Sequence, residues 1–158
     1  MRHSELVCVK NIQGKGRGVF ARCPIRKGTV IERVPVVLVP IQQIVGGWHN
    51  PAVARFGFAR DRWTVAVALG YGSLYNHSYR PNARYKDGPA ATMMFTAIRD
   101  IAEGAEITVN YNGNPKDKSP VGFDVIETTA SLPDGASSSR LPRRPLHPAG
   151  QLRVRRSR

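Results

Sequence analysis

Three short segments concentrate the side chains able to do chemistry. Gly14-Lys15-Gly16-Arg17-Gly18 alternates glycines with cations and leads into Val19-Phe20. Glycines there permit positive backbone dihedrals and close approach of a ligand to the main chain. A phosphate loop would need a Gly-Lys-Ser/Thr ending or a long helix behind it. Neither is present, so the bare motif reads as a basic β-turn. Tyr75-Asn76-His77-Ser78-Tyr79-Arg80-Pro81-Asn82 is dense in hydrogen-bonding groups. Asn76 and Asn82 each donate and accept, and His77 offers two ring nitrogens. Such a segment braces a turn or lines a polar cofactor site. A metal is not expected: the other histidines are His3, His49 and His147, at no recognisable ligand spacing. Third, Glu106-Ile107-Thr108-Val109-Asn110-Tyr111 reads as a strand running into Tyr111 and a polar loop, Asn112-Gly113-Asn114-Pro115. A tyrosine in that position either caps a core or presents its hydroxyl to a site.

The elements that must position these segments are short strands between glycine-bearing turns. Leu6–Val9 is a first strand, Asn11–Arg17 a turn, and Gly18–Ala21 a second strand. Thr29–Val39 is long and rich in β-branched residues, giving one or two strands. Pro35 and Pro40 argue against a central sheet position at those points. Ile41–Val45 reads as a short helix after Pro40. Trp63–Leu69 is apolar almost throughout, as in a strand buried on both faces. Ala91–Phe95 and Glu106–Val109 are further strands, with Ile98–Gly104 a tight connection between them. The fold class expected is a mostly β single domain.

Composition sets the outer limits. The chain has 158 residues and is 41% apolar, enough for one domain with its own core. No run of eighteen apolar residues exists, so no membrane span is expected. The start lacks an apolar run with a small-residue cleavage site, which argues for an intracellular, non-secreted protein. Cys8 and Cys23 are too few for a disulfide scaffold or an all-cysteine zinc cluster. The net charge of +13 is unevenly spread. Residues 1–60 hold ten basic and two acidic side chains, residues 61–130 seven and eight, and residues 131–158 seven and one. An anionic or acidic partner suits the basic ends, and a solubilising surface accounts for the same count. Residues 131–158, rich in Ser, Pro, Gly and Arg, are expected to be a disordered tail. Such a tail can contact nucleic acid through phosphates without base specificity.

In order and spacing the three segments resemble the SET domain of protein-lysine methyltransferases. Gly16-Arg17-Gly18 followed by Val19-Phe20-Ala21 resembles that family's N-terminal Gly-x-Gly. Asn76-His77-Ser78-Tyr79-Arg80-Pro81-Asn82 is similar to its Asn-His-Ser-Cys-x-Pro-Asn, and Glu106–Tyr111 to its Glu-Leu-x-x-Asp-Tyr. Ile25–Glu32 and Ile98–Gly104 resemble the flanking family segments. The likeness covers roughly residues 5–115. It implies a SET-domain fold of small curved β-sheets with a C-terminal pseudoknot, spanning residues 5–128 with a short C-terminal lid drawn from residues 112–127, with Phe123 as its candidate contact.

The resemblance also implies an activity: methyl transfer from S-adenosylmethionine to a lysine amine in a protein substrate. It assigns Tyr111 as catalytic residue and Gly16, Arg17, Gly18, Asn76 and His77 as cofactor-binding. Tyr71 and Tyr75 are candidates for a lysine channel or for the core. Three positions depart from the family pattern. Tyr79 replaces a cysteine, Asn110 replaces an aspartate, and Ser73-Leu74-Tyr75 replaces a segment that usually carries Arg-Phe. These keep open a second reading, a catalytically inactive SET-like module for protein interaction or basic nucleic-acid association.

Overall fold

The computed structural model describes residues 5–45 and 56–127, so the expected tail at 131–158 lies outside the described residues. Two sheets make up the body. One has the strand order β1-β2-β9-β6, and the other β4-β5-β3-β8-β7.

β1 (Val7–Ile12) and β2 (Gly16–Ala21) form a hairpin in register from Val7 opposite Ala21 to Ile12 opposite Gly16. The turn is therefore shorter than the sequence suggested, only residues 13–15. Gly14 and Gly16 have φ of +81° and +82°, a left-handed conformation that glycine adopts without a Cβ penalty. β3 (Val30–Pro40) leads into the five-residue helix α1 (Ile41–Val45). β4 (Gly57–Ala59), β5 (Thr64–Ala68), a single 3-10 turn at Gly72–Leu74 and β6 (Asn76–His77) follow. β7 (Ala83–Gly88), β8 (Thr92–Ala97) and β9 (Glu106–Val109) complete the order.

β3 corrects the reading of its prolines. It is the middle strand of the five-stranded sheet, but it changes partner along its length. Val30–Pro35 pairs with β8, and Val36–Pro40 pairs with β5. Pro35 lies at the changeover and Pro40 at the end of the second ladder. A missing N–H is tolerated at both points, where a ladder stops. The Pro35 carbonyl still accepts from Leu69 N–H at 3.0 Å. β4 and β7 were not expected. β4 has only three residues, and β7 reads Ala-Arg-Tyr-Lys-Asp-Gly, with no apolar alternation to mark it.

The core of the five-stranded sheet follows the strand period of two. Met93, Phe95 and Ala97 of β8 point inward, between half-buried Thr92, Met94 and Thr96. Phe95 stacks on Tyr75 with ring centroids 4.5 Å apart, and Phe58 meets Tyr85 edge-on at 4.7 Å. Each such ring contributes about 1.5–3 kcal/mol by leaving water. The two family-like flanking segments meet through reciprocal bonds of 2.8 Å between the backbones of Ile25 and Ile101. This tie orients the chain entering β3 and the chain entering β9.

Candidate active site

β9 brings the chemistry together. It lies between β2 and β6, antiparallel to the first and parallel to the second. Val19 faces Ile107 and Phe20 faces Glu106 across one edge. Asn76 faces Thr108 and His77 faces Val109 across the other. Flanked on both sides, all four residues of β9 are buried, including Glu106 and Thr108. A buried polar side chain must find partners, and those of β9 come from the other two motifs.

Glu106 is the hub of that exchange. Its Oε1 accepts from Asn76 Nδ2 at 2.8 Å, and its Oε2 accepts from Lys15 Nζ at 3.0 Å. The Lys15 and Glu106 side chains are only 8% and 2% exposed, so the ion pair is a buried one. Removing one partner of such a pair typically costs about 3–5 kcal/mol, because the other charge is left unpaired. Asn76 Nδ2 also donates to the Arg17 carbonyl at 3.2 Å. Asn82 prolongs the pairing past β6 by imitating a strand edge. Its Nδ2 donates to the Glu106 carbonyl at 2.8 Å, and its Oδ1 accepts from Thr108 N–H at 2.9 Å. Gly18 leaves room for this network: a Cβ there would lie 2.8 Å from Asn76 Nδ2 and 3.0 Å from Glu106 Oε1.

His77 and Tyr111 form the second cluster. Tyr111 N–H donates to His77 Nδ1 at 3.0 Å. An accepting Nδ1 places the ring proton of neutral His77 on Nε2. Nε2 is buried, with no hydrogen-bond partner among the described residues. Burial pushes the His77 pKa below its usual 6.5; Glu127 opposes that shift and Lys118 adds to it. Neutral imidazole is therefore the form at pH 7. The Tyr111 hydroxyl donates to the Tyr75 carbonyl at 2.9 Å. Burial, aided by Glu106, raises its pKa to about 12, against an opposing hydrogen bond at His77. Tyr111 is 38% exposed as a residue, yet this hydroxyl contact is partly buried. Phe123 stands edge-on to both rings at 6.1 Å.

These groups surround a cleft of about 160 Å³. Gly14, Lys15, Asn76, His77 and Tyr111 line its inner wall, and residues 123–126 form the other side. Three of the residues singled out from the sequence, Asn76, His77 and Tyr111, thus share one cavity. Gly16, Arg17 and Gly18 stand behind it on β2. Gly16 needs its positive φ, and a Cβ there would meet nothing within 4 Å. The Arg17 side chain is exposed, and only its carbonyl reaches the network. Tyr75 is core, 1% exposed beneath Phe95, and it offers the site its carbonyl. Tyr71 packs half-buried against the same core. Glu106 and Lys15 escaped the sequence reading, although a glutamate opening an otherwise uncharged four-residue strand was a usable signal.

Residues 16–112 match the family model described as SET domain. The chain belongs to the SET domain family. It is 28% identical over 104 residues to a Schizosaccharomyces pombe protein named histone-lysine N-methyltransferase, H3 lysine-37 specific; the match spans 65% of this chain and 71% of that one. A Plasmodium falciparum histone methyltransferase candidate of known crystal structure shares the fold. Its TM-score is 0.57 at 24% identity, covering 70% of this chain and 95% of that one. The SET-domain assignment and these relatives support a protein of the methyltransferase type.

The departures from the SET pattern have local reasons. Tyr79 turns away from the cleft. Its ring meets His77 edge-on at 4.6 Å, and its hydroxyl donates to the Ser119 carbonyl at 3.3 Å. Asn110 must be a donor, since its Nδ2 bonds the Asp117 carbonyl at 2.6 Å while its Oδ1 accepts from Asn112 N–H at 3.0 Å. An aspartate could not make the first bond. Ser73 donates to the Ala68 carbonyl at 2.7 Å and holds the chain before β6. Among the described residues no three His, Cys, Asp or Glu side chains gather into a metal-sized cluster, and Cys8 and Cys23 are free thiols. Also among them, no helix is long and apolar enough to cross a membrane.

SET domains typically use S-adenosylmethionine. The cleft fits such a group in its chemistry, with an unpartnered buried donor at His77 and the Asn76 amide held in place. Its volume is below the roughly 300–1,000 Å³ of pockets for ligands of comparable size. Residues 121–127, which include its outer wall, form no helix or strand.

Proposed function

We propose that this SET domain transfers a methyl group from S-adenosylmethionine to the side-chain amine of a lysine in a protein. One observation carries the reading: β9 joins Tyr111, the Asn76-His77 strand and the β1–β2 hairpin around a single cleft. The acceptor class agrees with that of the Schizosaccharomyces pombe relative, a protein named histone-lysine N-methyltransferase. Which protein and which lysine are set by contacts outside this geometry.

When bound, the cofactor supplies an activated methyl on a positive sulfonium. The chain's own residues do the rest. Asn76, fixed by Glu106 and the Arg17 carbonyl, presents a rigid amide edge. His77 keeps Nε2–H as a free donor for a ligand oxygen. Tyr111 stays protonated at neutral pH because burial holds its pKa near 12. Its hydroxyl proton is committed to the Tyr75 carbonyl, which leaves the oxygen lone pairs to orient an incoming amine. Phe123 stands edge-on to the His77 and Tyr111 rings beside the cleft. A lysine in water has a pKa of about 10.4. Desolvation, with a cation nearby, favours its neutral and nucleophilic form. No side-chain base is needed, and orientation with fixed dipoles supplies the acceleration.

The test uses cofactor labelled in the methyl group, incubated with the full chain and a mixture of basic proteins. Mass spectrometry should find label on lysine. Failure to bind S-adenosylmethionine at millimolar concentration sinks the reading.

A further inference from the structure

The segment that walls the cleft is fastened at its end by one side chain. Phe123 contacts His77 and Tyr111, and residues 124–126 continue the outer wall. Ile126 reaches the hairpin turn, where a Cβ on Gly14 would lie 3.1 Å from its Cδ1. Glu127 comes next, and its carboxylate takes two bonds from the inner wall's own strand. Its Oε2 accepts from Ser78 Oγ at 2.6 Å and its Oε1 accepts from Tyr79 N–H at 2.9 Å. Ser78 Oγ accepts in turn from Arg80 N–H at 2.8 Å, which fixes the hydroxyl's direction. Ser78 and Tyr79 directly follow Asn76-His77 of β6. Glu127 therefore ties the side of the cleft that has no helix or strand to the side built on β6.

The surroundings suit an anion at this point. Burial raises the Glu127 pKa, but the bonds from Ser78 and Tyr79, with His77 and Lys15 nearby, outweigh it and hold the group below its usual 4.5. A second anchor lies just before the wall. Lys118 Nζ donates to the Tyr79 carbonyl, and the Tyr79 hydroxyl and Asn112 Nδ2 both donate to the Ser119 carbonyl. The wall is thus pinned at both ends to residues 78–79, while its middle has no strand partner. Tyr79, the residue that departs from the family pattern, is a contact point of both anchors.

We propose that Glu127 is a clasp: by bridging Ser78 and Tyr79 it holds residues 123–126 against the cleft and sets how long a ligand stays there. The inference rests on the cleft being the cofactor site proposed above. Residues 123–126 line one side of the cleft, so the part of a ligand that lies under them enters and leaves when that wall moves. Two charge-assisted bonds are among the connections that must break for the 127 end to swing. Glu127 acts through the wall and not on reacting atoms, so it is a positioning residue.

Two measurements on the full chain test the clasp. The first is hydrogen exchange of the ligand-free protein, reading the Tyr79 amide and residues 123–126. In Glu127→Ala both should exchange at least about tenfold faster, while amides of the β3–β8 ladder stay unchanged. The second is the dissociation rate of S-adenosylhomocysteine, the demethylated product of the proposed transfer, which has no methyl to give. It should rise at least about tenfold in Glu127→Ala, less in Glu127→Gln, and Ser78→Ala should add little on top of Glu127→Ala. Folded variants with unchanged exchange and unchanged dissociation overturn the clasp. Faster exchange with unchanged dissociation overturns its control of residence. A wild-type chain that binds no S-adenosylhomocysteine removes the cofactor reading and the residence claim with it, while exchange still reports whether Glu127 fastens the wall.

Discussion

The two sheets solve different problems with the same kind of strand. In the five-stranded sheet, β8 alternates inward and outward side chains, and its inner face is filled by Met93, Phe95 and Ala97. Every ladder there is antiparallel. In the four-stranded sheet, β9 is buried at all four positions and pairs in parallel with a two-residue strand. Its interior holds Glu106, Lys15, Asn76 and Asn82 in a bonded network. The first sheet stabilises by area, which is tolerant of detail. The second holds groups in fixed directions, which apolar packing alone does not do.

Substitutions should separate these roles. Phe95→Ala removes the ring that stacks on Tyr75 and meets Phe58 and Tyr85. It should cost about 3–5 kcal/mol in denaturant unfolding. Cofactor affinity of the fraction that stays folded should change little. Tyr111→Phe is the mirror image. Methyl transfer should fall ~10²–10³-fold, or roughly 3–4 kcal/mol in the barrier, because a positioned polar group is lost. Its melting temperature and cofactor affinity should stay close to wild type. Equal rates in two well-folded proteins would remove Tyr111 from the mechanism.

Gly18→Ala probes the boundary between the sheets' behaviours. The added methyl meets Ile12 Cδ1 at 2.6 Å and the Asn76 amide at 2.8 Å. Ile12 is flexible at its end, but Asn76 is pinned from two sides. Overpacking of this kind costs about 1–3 kcal/mol, and calorimetric titration should show weaker cofactor binding as well. Unaltered binding would mean that Asn76 is not held by this contact.

The smallest effect belongs to Glu32, a carboxylate on the core side of β3. Burial raises its pKa from 4.5 to about 6, against the pull of the neighbouring Tyr75 hydroxyl and Tyr71 backbone. The folded state thus holds the proton more tightly than the unfolded chain does. The stability from this group is present below pH 4.5 and is lost as pH rises through 6. Glu32→Gln should abolish that loss and gain roughly 1 kcal/mol at pH 7, after allowing for solvent around a partly open group. The comparison is the wild-type-minus-variant difference across pH 4–8, in which the titration of groups common to both proteins cancels. A flat difference would show that Glu32 is solvated as in the unfolded chain.

Much of this molecule was legible before any fold was known. Leu6–Val9, Trp63–Leu69 and Glu106–Val109 announce themselves as strands because β-branched and apolar residues recur locally. Ile41–Val45 was legible from Pro40 and the glycines behind it. The order of Gly16-x-Gly18, Asn76-His77 and Tyr111 pointed to one family and one site. Local pattern carries such information because strand period and turn chemistry depend on residues only a few positions apart.

Tertiary structure decided the rest. No local signal says that Asn76 and His77 lie parallel to Thr108 and Val109, more than thirty residues later. That pairing turns Glu106 from an ordinary strand residue into a buried anion, which must then recruit Lys15 and Asn76. Pro35 looked like a strand breaker, and only the exchange of β8 for β5 along β3 makes it harmless. Tyr75 read equally as a channel aromatic or as core; its ring went to the core and its carbonyl to the site. In the sequence Glu127 only stood near the end of the folded body; its two acceptor bonds to Ser78 and Tyr79 come from the fold. For Glu106 the cause is burial: a polar group withdrawn from water must be bonded by whatever the fold brings beside it, and sequence does not specify that neighbour.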